Sequence, residues 1–138
     1  KEALKAVRWI KSGKNFLYAA DQDYGQNVSI MIPFFEYDAA TVTFPALFCN
    51  KKIKIVLADV SRVEDTYEIE IKELDNSLNE KEFLTSMNNL YQEFIRKEPE
   101  GYLWMHRRFK SGHQESVYPK WSSRDKKREK RRLKRDND

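Results

Sequence analysis

The segment from Asn79 to Pro99 constrains the fold of this chain more than any other. Asn79 stands three residues before Glu82, the spacing of a reciprocal N-terminal cap, and Phe83, Leu84, Met87, Leu90, Tyr91, Phe94 and Ile95 then recur on one face of a helix that Pro99 must end. Burying such a stripe is worth roughly 10–20 kcal/mol gross at about 1.5–3 kcal/mol per side chain, much of it offset by the ordering of the segment. A helix of this kind needs an apolar sheet to lie on, and the stripe itself needs no cofactor to explain it.

The remaining segments supply candidates for that sheet. Lys1–Gly13 (KEALKAVRWIKSG) has Leu4, Val7 and Ile10 at helical spacing and Gly13 where a C-terminal cap glycine belongs. Asn15–Ala20 (NFLYAA) is a short apolar run before the polar DQDYG turn and is expected to be a buried strand. Val28–Phe35 (VSIMIPFF) is a second extended run, and Pro33 marks its edge or end because proline cannot donate to a ladder. Thr41 and Thr43 before Pro45 signal a helix reaching about Asn50. Ile53–Val60 and Thr66–Leu74 then suit an antiparallel hairpin, in which Tyr67, Ile69 and Ile71 should be buried and Glu68, Glu70 and Lys72 wet. Helices interleaved with strands indicate an α/β sandwich.

At 138 residues the chain has material for one domain, and it contains no run of about 18–20 apolar residues that could span a bilayer. Its mean hydropathy is −0.83. No secretory leader is visible, and a chain opening on Lys1 inside a helix fits a segment of a longer protein. Cys49 is the one cysteine, which excludes an internal disulfide and fits a reducing, cytosol-facing setting; its apolar neighbours suggest a buried, inert thiol. The net charge of +4 is uneven: residues 119–138 carry ten Lys/Arg against four Asp/Glu, leaving 16 against 18 for residues 1–118. Domain organisation is therefore read as a folded part, 1–112, and a basic tail, 113–138, too polar to bury a core and expected to be disordered.

Two places are more polar than a scaffold requires. Asp21, Gln22, Asp23 and Gly25 follow the apolar run at 15–20, where ligands commonly sit in α/β sheets; two carboxylates could orient hydroxyls, a cation or a basic group, or could simply make the turn. Tyr102–Lys110 (YLWMHRRFK) interleaves His106, Arg107, Arg108 and Lys110 with Trp104 and Phe109, a composition suited to phosphate with aromatics at a lipid headgroup boundary or stacked on bases, and equally to a solvated basic loop. His106 is followed four and five residues on by Lys110 and Ser111, and His113 by Val117 and Tyr118, so neither has a carboxylate at that spacing to orient it as a base. There is no nucleophile elbow, phosphate loop, dinucleotide fingerprint or metal-ligand spacing.

In order and separation, DQDYGQNVSIMIPFF, ATVTFPALF and the capped helix ending in PEGYLWMHRRFK resemble the C-terminal part of the bacterial lipid A biosynthesis acyltransferases, the late lauroyl/myristoyl transferases, over about Lys1–Lys110. That resemblance implies a partial lysophospholipid-acyltransferase-like α/β fold. It implies an enzyme that moves a fatty acyl chain from acyl carrier protein to a hydroxyacyl chain of a Kdo-bearing lipid A precursor at the cytoplasmic face of the inner membrane, with no cofactor. Its chemistry would use a His-x-x-x-x-Asp/Glu pair, and no histidine of this chain has that spacing, so a fragment without its catalytic pair is expected to be inactive alone. By the same resemblance Asp21, Gln22, Asp23 and Gly25, with His106, Arg107, Arg108 and Lys110, would bind the acceptor, and Arg and Lys of the second group would alternatively meet the acidic carrier protein. Phe44 stands where a small residue is common, and Leu57–Ala58 where a proline is usual, which bears on acyl-chain preference. The alternative reading is a non-catalytic module for anionic lipid or nucleic acid; the slightly acidic first 118 residues and the absence of a nucleic-acid motif argue against nucleic acid.

Overall fold

The computed structural model describes residues 2–112, so the expected disorder of the basic tail lies outside the described residues. Helix α1 (Glu2–Lys11) ends as its sequence indicates, with Gly13 at φ 79° and its N–H bonded to the Ile10 carbonyl at 3.0 Å. Strands β1 (Ser29–Phe34) and β2 (Tyr37–Val42) form one antiparallel pair, and β3 (Val56–Val63) and β4 (Thr66–Glu73) another. Helix α2 (Glu80–Lys97) carries the expected box in full, with Asn79 accepting from the Glu82 N–H and Glu82 reaching back to the Asn79 N–H.

The core forms where α2 lies on the first hairpin. Phe83, Leu84, Met87 and Phe94 bury with Ile32, Val42, Leu57 and Leu74, while Ile95 joins Phe34 and Ala39 in an adjoining cluster; Leu90 and Tyr91 pack half-buried beside them. Two polar side chains share the apolar stripe. Asn88 Nδ2 donates to the Pro33 carbonyl at 3.1 Å and to Thr41 Oγ1 at 3.0 Å, and Gln92 Oε1 accepts the Phe35 N–H at 3.0 Å. They satisfy main-chain groups at the strand ends that no ladder reaches.

Four expectations are corrected. Residues 14–19 form no strand: the chain offers them no ladder partner among the described residues, and Leu17 is 95% exposed. Thr43 precedes only a 3₁₀ turn, Phe44–Phe48, without a side-chain cap, and Thr41 belongs to β2. The β3–β4 loop is two residues, Glu64–Asp65, with Glu64 at φ 54°, because pairing continues to Val63 and Thr66. The hairpin's faces are also reversed. Glu70 and Lys72 turn toward α2 and pair with Lys97 (2.7 Å) and Glu93 (2.5 Å), whereas Tyr67, Ile69 and Ile71 are 71%, 64% and 62% exposed.

Patterning did not single out β2. Its sequence YDAATV is poor in large apolar residues, yet Ala39, Ala40, Thr41 and Val42 are all buried, since small side chains let α2 and a later segment approach closely. The turn before it places Phe35 at φ 56°, held by the Gln92 bond and by the Arg96 guanidinium 5.2 Å from its ring. Both hairpin turns thus have a non-glycine residue at positive φ, which explains why composition did not mark the first.

Candidate functional site

The two polar segments that the sequence separates by more than 80 residues meet. Asp23 is buried at the turn that follows residues 14–20, and Gly25 takes φ 92°, a conformation strained for any other residue. Asp23 Oδ1 accepts from the Gly25 N–H (2.8 Å) and the Ser111 hydroxyl (2.8 Å), and Oδ2 from the Ser111 N–H (2.9 Å). The Asp23 N–H in turn donates to Nε2 of His106 at 2.8 Å, and the Gln26 amide donates to the Ser111 carbonyl at 2.8 Å. One carboxylate thereby closes its own turn and fastens the end of the YLWMHRRFKS segment to it.

Residues 102–112 are a succession of tight turns, with N–H to carbonyl bonds from His106 to Leu103, Arg108 to His106, Lys110 to Arg107 and Gly112 to Phe109. No strand forms over 102–105. Arg108 enters the core: Nη1 donates to the Ala40 carbonyl at 2.6 Å, Nη2 to Thr41 Oγ1 at 3.0 Å, and the guanidinium lies 5.0 Å from the Phe34 ring centre. Thr41 Oγ1 also accepts from Asn88, so Arg108, β2 and α2 form one buried network. Small residues on β2 leave the room an arginine needs here.

The expected site residues therefore divide. Asp23 and Arg108 are buried with internal partners, and His106 is half-buried and bonded to the Asp23 main chain. Asp21, Gln22, Gly25 and Arg107 are half-buried, and Lys110 is exposed. Burial first, then the Lys110 charge and least the Arg108 charge, hold the His106 pKa below its usual value against the opposing pull of Asp21 and Asp23, which favours Nε2 as an acceptor. Burial also lowers the Arg108 value from a very high start, which leaves it a cation. Ser111, Thr41 and Asn88 complete the network and were not picked out from sequence; Asn88 and Gln92 are legible only as polar residues within the apolar stripe of α2.

An open, mainly apolar groove of about 990 Å³ adjoins the Asp23 turn, walled by Trp9, Phe16, Tyr18, Tyr24, Phe44 and Leu47. Its aromatics contact one another, with Tyr18 stacked on Tyr24 (5.9 Å) and tilted against Phe44 (5.1 Å). Burial beside Tyr24 pushes the Tyr18 hydroxyl up to about 12, so it remains a neutral donor.

Residues 1–111, which include every member of this network, match the family model described as bacterial lipid A biosynthesis acyltransferase. The chain belongs to that family. It is 30% identical over 108 residues to a lipid A biosynthesis palmitoleoyltransferase of Escherichia coli (strain K12), covering 74% of this chain and 35% of the relative. It is 30% identical over 112 residues to the lauroyltransferase of the same organism, covering 76% and 37%. A lipid A biosynthesis acyltransferase of Haemophilus influenzae is 26% identical over 113 residues, covering 76% and 36%. The chain spans little more than a third of the length of these curated relatives. Among the described residues of this acyltransferase-family chain, no helix is long and apolar enough to cross a membrane.

Proposed function

We propose that this chain forms the acceptor-side part of a lipid A acyltransferase of the lysophospholipid-acyltransferase fold, working on the cytoplasmic face of the inner membrane. The observation that carries the reading is the family match over residues 1–111 together with the lock between the DQDYG turn and the HRRFK segment that it contains. In the proposed reaction the oxygen of a hydroxyacyl chain on a Kdo-bearing lipid A precursor bonds to the acyl carbon of an acyl carrier protein thioester. The C–S bond breaks, and the hydroxyl proton passes to a His-x-x-x-x-Asp/Glu pair supplied by the part of the family's length outside this match. No cofactor is required.

Asp23, His106 and Arg108 act as positioning residues in this reading. They hold the turn that carries Asp21 and Gln22 against the segment that carries Arg107 and Lys110. The two cations oppose the precursor's phosphates, and the Asp21 carboxylate and Gln22 amide hydrogen-bond sugar hydroxyls. The aromatic groove offers an apolar wall to a hydrocarbon chain. In a full-length enzyme carrying residues 1–111, Arg107→Ala with Lys110→Ala should raise the acceptor KM about tenfold or more, for two lost charge-assisted contacts, with donor KM unchanged. Unchanged acceptor kinetics would defeat the assignment.

A further inference from the structure

Leu103, Trp104 and Met105 are three consecutive large apolar residues, 58%, 54% and 91% exposed. A run of this kind on a protein surface marks a binding function. Its backbone is fixed, because the Trp104 N–H bonds the Tyr102 carbonyl at 2.8 Å, the His106 N–H bonds the Leu103 carbonyl at 3.0 Å, and His106 and Arg108 anchor the following turns. The Trp104 indole N–H already donates to the Pro99 carbonyl at 2.6 Å, and the ring stands edge-on to Tyr102 at 5.0 Å, so the indole can leave water without orphaning its donor.

We propose that this knuckle inserts into the headgroup boundary of an anionic phospholipid bilayer, with Arg107 and Lys110 on lipid phosphate. The proposal rests on the acyltransferase reading only in expecting a membrane nearby. Charge favours a bilayer over a protein partner: residues 101–112 contain no acidic side chain, and of the three cations that follow the apolar residues within five positions, Arg107 and Lys110 lie outside the core while Arg108 is buried. The other exposed apolar face, on β3 and β4, ends instead in Glu64 and Asp65 and carries Arg62 and Glu73 on its own side, a surface of mixed sign that suits a protein neighbour. The basic tail would draw the chain to the same surface without placing Trp104 in it.

The test uses the full chain with Trp9→Phe and Trp121→Phe, leaving Trp104 as reporter, and vesicles of phosphatidylglycerol and phosphatidylethanolamine. Insertion predicts a blue-shifted emission on vesicle addition and stronger quenching by lipids brominated near the headgroup than near the chain end. Leu103→Asp with Met105→Asp should lower partitioning about tenfold or more, given the loss of two buried apolar side chains. The proposal fails if vesicles sediment the chain while Trp104 keeps its water-like emission, which is binding by the tail alone. It fails too if the emission is already blue-shifted without lipid, which is a protein-covered knuckle, or if no vesicle binding occurs. Acyl transfer by an enzyme whose knuckle stays in water would leave the reaction assignment standing and overturn this inference alone.

Discussion

Asp23 concentrates more of the local organisation than any other residue, since it accepts three hydrogen bonds from two segments while its own N–H engages His106. Asp23→Ala leaves the Gly25 and Ser111 donors without their acceptor and should lower stability by about 1–3 kcal/mol in urea unfolding. His106 sets a pH dependence of definite sign. Its folded pKa lies below the usual 6.5, so the folded state binds fewer protons than the unfolded state. The contribution is complete above the unfolded value and is lost as pH falls through the window from 6.5 down to the folded value, where protonated Nε2 can no longer accept the Asp23 N–H. His106→Gln, whose side-chain carbonyl can accept the same bond, should flatten this component; a difference in unfolding midpoint between the two proteins that stays constant from about pH 7.5 to pH 5 would count against it.

The elements differ sharply in what they bury. Phe83 lies at the centre of the α2 face and is fully buried, so Phe83→Ala should cost about 3–5 kcal/mol, and Asn79→Ala about 1 kcal/mol through loss of the cap. On β4 the expectation reverses the one from patterning: Ile69→Thr should change the stability of this chain by less than about 0.5 kcal/mol, because Ile69 is mainly in water. Thermal and urea unfolding of the three variants test this together. The ion pairs joining β4 to α2 are exposed on both partners and add at most a fraction of a kcal/mol each. They orient the hairpin more than they stabilise it.

Across the whole molecule, much apolar surface is left in water. Val60, Tyr67, Ile69 and Ile71 on the second hairpin, and Phe16 and Leu17 in the segment that finds no ladder, are all exposed. The chain should therefore bind a polarity-sensitive dye such as ANS well above the level of a closed globular domain, and Ile69→Lys with Ile71→Lys should reduce that signal without loss of α2 helicity. An ANS signal at background would mean that these faces are covered, by self-association or by a rearranged hairpin, and sedimentation velocity separates the two.

Periodicity, caps and turn residues are local, and what depends on them was legible: α1 with its Gly13 terminus, the reciprocal cap of α2, the extended run at Val28–Phe35 and the hairpin pairing of β3 with β4. The order of DQDYG, ATVTFPALF and YLWMHRRFK was enough to place the family. Burial, in contrast, depends on what lies opposite. Tyr67, Ile69 and Ile71 alternate as a buried face would, yet α2 reached the charged side because Glu93 and Lys97 stand there to pair with Lys72 and Glu70. The HRRFK string reads as a uniform cationic patch until the small residues of β2 admit Arg108 while Lys110 stays in water. Which turn answers His106 and Ser111 was likewise decided only when chain closure brought residue 23 beside residues 106 and 111, since a hydrogen bond acts over about 3 Å and carries no mark of its partner in the sequence.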